Sequence, residues 1–266
     1  MALYLLDQSG NGNDLTNVNG VTENTTDSPF AASTAVADFE SSSTQYLTAP
    51  NQSYIQLSTT VSLESWVKPE SFNTNNTIIG KGRANGDASG NYFMRLGLLG
   101  NVSFVYASSG PTFHTWTTTL PQTSTGTWTH LAFTFTFGTG SSMLCYVNGS
   151  SVGGSWVQGD GNSAPATNTE VLQLGCIHSV SGADELYDGL MDEVRIWNTI
   201  RTGTEINNNM SVEIQPQTGL VAYYPYESTI IVGPVNVKTW DGLSLASVKT
   251  INGLAIASVK TINGLN

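Results

Sequence analysis

Charge is scarce in this chain: of 266 residues only 11% are Asp, Glu, Lys or Arg, and 20 acidic against nine basic residues leave a formal net charge of −11. Such a surface repels phosphate backbones, which argues against nucleic acid as a partner. The acidic excess serves solubility or a hard cation such as calcium. Cysteine is almost missing. Cys145 and Cys176 have neither CxxC nor Cys/His ligand spacing, so no zinc site is expected. Both fall in expected strands, as buried thiols or, if those strands are neighbours, as a disulfide. The opening MALYLLDQSGNGN reaches Asp7 and turn residues without the basic and apolar regions of a secretory signal, and no apolar run is long enough to cross a bilayer. P-loops are absent, and His114, His130 and His178 lie far apart without metal-ligand spacing.

Helical periodicity is nearly missing as well, and what replaces it is alternation. Short apolar/polar segments bounded by Gly, Asn, Asp and Pro, among them VSLESWVKP, NYFMRLGLL, NVSFVYAS and GLMDEVRIW, predict antiparallel strands. In THLAFTFTF, Leu131, Phe133, Phe135 and Phe137 project to one face, the pattern of a strand in the middle of a sheet. One helix is predicted near 202–210, where Thr202 and Glu205 stand at capping-box spacing; it ends before Gln215-Pro216 and serves as a plug or connector on a β framework.

After about Gly233 an 11-residue repeat begins, VKTWDGLSLAS, VKTINGLAIAS and VKTINGL. Asp-Gly and Asn-Gly between β-formers predict hairpins, because both central residues of a type I′ turn need positive φ. A meander of hairpins is the simplest geometry, with a small solenoid or an intertwined oligomer as rivals. Two domains follow: a β-sandwich over 1–230 and a repeat tail over 231–266 for attachment or oligomerisation.

The order of LLDQSGNGNDLTN, VSLESWVKP with TIIGKG, GTWTHLAFTF, LCYVNGSSVGG, YDGLMDEVRIWNTIRTGTEI and GLVAYYPYE resembles the laminin-G-like group of the concanavalin A-like lectin/glucanase superfamily. This resemblance implies an all-β fold of two antiparallel sheets packed as a jelly roll. It does not reach the 11-residue repeat, which resembles tails of phage structural proteins. Glucanases of the superfamily use Glu-x-Asp-x-x-Glu on one strand face. Here Asp192 and Glu193 are adjacent, and on a regular strand they point to opposite faces, so hydrolysis is not expected.

Calcium is the best-motivated cofactor: Asp7, Asn11 and Asn13 alternate through a glycine-containing turn, and the resemblance implies Asp192 as a distant ligand. The competing reading makes the same residues turn formers through Asx hydrogen bonds. For a glycan the candidates are the aromatics Trp116, Trp156 and Tyr187 with His114, whereas Trp66, Trp128 and Trp197 match strand positions and belong to the core.

The expected function is a non-enzymatic recognition or display module, a virion surface component such as a decoration, fibre or tail protein that binds glycan or other virion proteins and assembles through its tail. The alternative is a secreted, extracellular lectin-like adhesin module, for which Asn24, Asn51, Asn75, Asn101, Asn148 and Asn209 are glycosylation acceptors. A glycoside hydrolase of the same fold ranks third.

Overall fold

The computed structural model describes residues 3–82, 90–109, 112–179 and 182–227, and four two-residue strands between 239 and 255. The chain divides into two compact units, Met1–Ser228 and Thr229–Asn266. The strands of the first unit begin with β1 (Thr16–Val18), β2 (Thr22–Asn24), β3 (Val36–Phe39), β4 (Tyr46–Ala49), β5 (Thr60–Pro69) and β6 (Asn75–Lys81). They continue with β7 (Tyr92–Gly97), β8 (Val102–Ser108), β9 (Thr112–Thr118), β10 (Thr129–Thr136), β11 (Leu144–Val147), β12 (Ser150–Val152) and β13 (Gly154–Gln158). β14 (Leu172–Leu174), β15 (Ile177–Ser179), β16 (Gly182–Asp184), β17 (Gly189–Trp197), helix α1 (Gly203–Asn209) and β18 (Leu220–Tyr224) complete it.

Two large antiparallel sheets result. The first runs β1-β4-β14-β6-β7-β8-β9-β13; the second runs β12-β11-β10-β5-β17-β3-β2, with β18 also paired to β17. β10 is an interior strand, as its alternation predicts. Leu131, Phe133 and Phe135 are fully buried between the sheets, where Phe104 packs against Phe133 at 5.8 Å and Phe135 at 5.5 Å. Burying each such ring contributes about 1.5–3 kcal/mol before entropy is counted. Cys145 and Cys176 are buried, free thiols.

Each sheet's outer face carries a cover of its own. The β15–β16 hairpin lays Ile177 on Phe93 and Val105 of the first sheet. On the second, α1 sets Ile206 against Ala132 and Tyr146. α1 starts with the predicted capping box: Thr202 Oγ1 accepts from the Glu205 N–H at 3.2 Å, and the Glu205 carboxylate accepts from the Thr202 N–H at 2.8 Å.

β17 departs from the regular strand expected of it. Its register with β5 shifts between Asp192, opposite Trp66, and Arg195, opposite Glu64, and Glu193 has φ 52°. This bulge turns Glu193 to the outer side with Arg195, while Val194 enters the core. The expectation that Asp192 and Glu193 face opposite ways is thereby corrected: the extra residue resets the alternation on which it rested. The bulge lies where the other edge of β17 passes from β3, paired at 189–191, to β18, paired at 194–197.

In the second unit, Thr239–Trp240 pairs antiparallel with Leu243–Ser244, and eleven residues on Thr250–Ile251 pairs with Leu254–Ala255. Each pair brackets two residues, Asp-Gly or Asn-Gly in the sequence. The third repeat lies outside the described residues.

Candidate functional site

Three of the four aromatic candidates come together. β9 carries His114 and Trp116, and Trp156 on edge strand β13 is in register with Trp116. Their faces turn inward. Trp116 packs edge-on to Phe133 at 5.8 Å, and His114 stacks on Tyr106 at 4.6 Å with 9° between planes. His114 Nδ1 accepts the N–H groups of Asp160 (3.2 Å) and Gly161 (3.0 Å), so that nitrogen carries no proton. Burial lowers its pKa in the same sense. Asp160, although 3.7 Å away, therefore forms no ion pair with it. Trp156 is half-buried, its indole N–H donating to Gly140 O. Tyr187 lies apart, fully buried, edge-on to Phe39 and donating to Leu190 O at 2.8 Å. A sugar platform needs an open ring face. Trp116, His114 and Tyr187 give theirs to the core, which corrects their reading as platforms.

The N-terminal turn is a clasp. Asp7 accepts from Ser9 N (2.9 Å), Ser9 Oγ (2.8 Å), Asn13 N (3.0 Å), Asn13 Nδ2 (3.3 Å) and Tyr223 N (3.0 Å), joining the chain start to β18. Asn13 Nδ2 also donates to Val221 O, and Asn11 Nδ2 to Leu220 O. Donor hydrogens directed at both carboxylate oxygens are those of an Asx-type turn. Asp192 is not part of the clasp. Its carboxylate accepts from Ser33 Oγ (2.8 Å) and Glu193 N (2.7 Å), and burial, with Glu193 adding to it, holds its pKa well above the usual range. Among the described residues no cluster of three or more His, Cys, Asp or Glu side chains is arranged to hold a metal.

Beneath α1 the second sheet carries a buried ionic network. Arg195 donates to Glu193 and to the carbonyls of Asn209 and Val212, with Glu64 at 3.8 Å. Tyr223 OH donates to Glu193 at 2.8 Å. His130 lies 3.7 Å from Glu64, but burial, reinforced by Arg195, depresses its pKa to about 3 and leaves it neutral. Asp192 and Glu193 share the outer side yet are both 0% exposed, so neither reaches a glycosidic bond.

Among the described residues lie two surface clefts, each of about 460 Å³. The first is lined by Tyr54, Asn11, Asn198, Gln217 and Thr218 together with residues 219–221. Tyr54 belongs to a single 3-10 turn, Ser53–Ile55, whose Ile55 is fully buried; anchoring the isoleucine leaves the tyrosine outside at 37% exposure. Its hydroxyl donates to Asn11 O at 2.7 Å. Asn198 N–H donates to Gly219 O, and Gly219 has φ 87° with Thr199 Oγ1 2.5 Å from where a Cβ would stand, so the floor requires glycine. No lining residue carries formal charge. The second cleft, lined by Ser41, Asn73, Asn75, Asp184 and Glu185, has no aromatic ring, and its Glu185 pairs with Arg95 at 2.9 Å. Sequence reasoning missed Tyr54, Asn198 and Gln217. The available signal was an aromatic residue within the polar stretch PNQSYIQ.

The chain belongs to the concanavalin A-like lectin/glucanases superfamily, whose laminin-G family model matches residues 41–207. No curated protein matches it. Among solved structures it is similar to domain 4 of AbnA, a GH43 extracellular arabinanase from Geobacillus stearothermophilus solved with arabinotriose: 22% identity, 77% of this chain and 92% of that one, TM-score 0.57. The botulinum neurotoxin serotype G binding domain shares 14% identity over 76% of this chain and 47% of its own, TM-score 0.58. A Bacteroides ovatus protein provisionally described as carbohydrate-binding shares 22% over 71% and 50%, TM-score 0.53. The chain thus spans about half of the last two. At these identities the likeness shows the fold.

Proposed function

We propose that this member of the superfamily is a non-enzymatic carbohydrate-binding module that takes its glycan in the Tyr54 cleft. The observation that carries this reading is an exposed ring beside amide and hydroxyl side chains. Sugar recognition needs that pairing: a flat apolar face for the pyranose or furanose C–H groups and polar groups for the hydroxyls. The burial of Asp192 and Glu193 supports the absence of hydrolysis. Titration calorimetry with oligosaccharides tests it; the expected result is binding without release of new reducing ends, and reducing ends lost on substituting Asp192 and Glu193 would overturn it.

Display on a virion, with residues 229–266 as the attachment, is the accompanying reading. Its support is the hairpin recurring at 11-residue spacing, a unit that gains stability by packing on a partner. Purification of the native protein with particles tests it. Sugars on Asn24 or Asn148 in native material would favour the secreted adhesin instead.

A further inference from the structure

The described cations are held by partners within the protein, and that limits what its cleft can hold. Lys68 is paired with Asp27, and Arg95 with Glu185 at 2.9 Å. Arg195 is buried with Glu193, and Arg201 pairs with Glu205 at 3.0 Å while lying over Trp197. Lys81 is 0% exposed, its ammonium donating to Asn168 Oδ1 (2.7 Å) and Glu170 O (2.5 Å). Every Lys and Arg among the described side chains is therefore engaged within the protein.

Acids are placed both ways: Glu64, Asp192 and Glu193 are buried, whereas the Asp160 side chain is 67% exposed, and the net charge is −11. The Tyr54 cleft itself holds no cation. Burial, and after it the nearby Asp7 carboxylate, raise the Tyr54 phenol above its usual pKa.

We infer that the ligand of the Tyr54 cleft is an uncharged glycan, one without carboxylate, sulfate or sialic acid groups. The inference rests on the carbohydrate-binding reading above and narrows it. An anionic sugar gives up part of its hydration on binding and requires a cation or a charge-assisted donor in exchange; the described residues provide none at the cleft. The overall field opposes its approach as well. Hydroxyl groups need only what Asn198, Gln217 and Thr218 supply, amides and a hydroxyl that both donate and accept, with Asn11 Nδ2 already given to Leu220 O and Val221 O.

The test is retention of the full chain on immobilised neutral polysaccharides (arabinan, mannan, dextran) and anionic ones (polygalacturonate, heparin, sialyllactose conjugates) at 50 and 500 mM NaCl. At least one neutral polymer is expected to bind, with a Kd that changes less than about twofold between the two salts. Tyr54→Ala is expected to weaken that binding about tenfold or more, while Tyr54→Phe, which keeps the ring, retains it. Binding confined to anionic polymers and lost at high salt would overturn the inference yet leave the carbohydrate-binding reading intact. Neutral binding indifferent to Tyr54→Ala would overturn the assignment to this cleft. No binding to any polymer would overturn both.

Discussion

The outer face of the second sheet and the Tyr54 cleft are both rich in polar groups, but the first is ionic and closed, the second uncharged and open. Under α1, Glu64, Glu193, Arg195 and His130 are each at most 1% exposed. In the cleft, Tyr54, Asn11, Asn198 and Gln217 are exposed. Residue types that read as chemistry in a sequence here hold the architecture together. Those that read as turn filler form the surface on which a ligand can rest. A chain so poor in charge has few ions to place, and every described Lys and Arg side chain is engaged by a partner within the protein.

Breaking the ionic network should have the largest effect. Arg195→Ala leaves Glu193 and Glu64 buried without their cation and removes donors to Asn209 and Val212; the expected loss is about 3–5 kcal/mol in urea unfolding. A loss under about 1 kcal/mol would mean the network is wet and the contrast with the cleft false.

Acid sharpens the same side of the comparison. Burial, with Arg195 adding to it, holds His130 at about 3 in the folded protein, against the ordinary 6.5 of an imidazole in the unfolded chain. Between those values the unfolded chain binds the extra proton, so this group's contribution to stability rises with pH and is lost on acidification, by about 1.4 kcal/mol per pH unit. Asp192, whose folded pKa is raised, opposes this trend. His130→Gln should therefore flatten or reverse the slope of unfolding free energy between pH 4 and 6; an unchanged slope would remove His130 from the account.

Smaller effects separate structure from recognition. Thr202→Ala removes the α1 cap and should cost about 1 kcal/mol. Tyr54→Ala should change stability by no more than about 0.5 kcal/mol, since its ring is outside the core. Smallest of all, excess EDTA should leave the Tm unmoved, because the Asp7 carboxylate is occupied by N–H and O–H donors. A drop on chelation would make the clasp a cation site after all.

Much of the fold was legible because it is written in short-range patterns. The phenylalanines of β10 alternate, and the Thr202–Glu205 box and the Asp-Gly and Asn-Gly turns are local signals. The bulge at Glu193 was not legible: a positive φ at a non-glycine residue follows from β17 passing between β3 and β18, a tertiary cause. Nor was the cleft. Tyr54, Asn11, Asn198 and Gln217 meet only because the Asp7 clasp brings the chain start to β18. Trp116 and His114 were visible as residue types, but which side of β9 faces the second sheet is decided by packing on Phe133 and Tyr106.

The central claim, recognition without catalysis at the Tyr54 cleft, is tested most directly by passing wild-type protein and Tyr54→Ala over one neutral polysaccharide column while assaying reducing ends in the eluate. Retarded wild type, unretarded variant and no new reducing ends are expected. Equal retardation of both proteins, or reducing ends that accumulate with contact time, would contradict it.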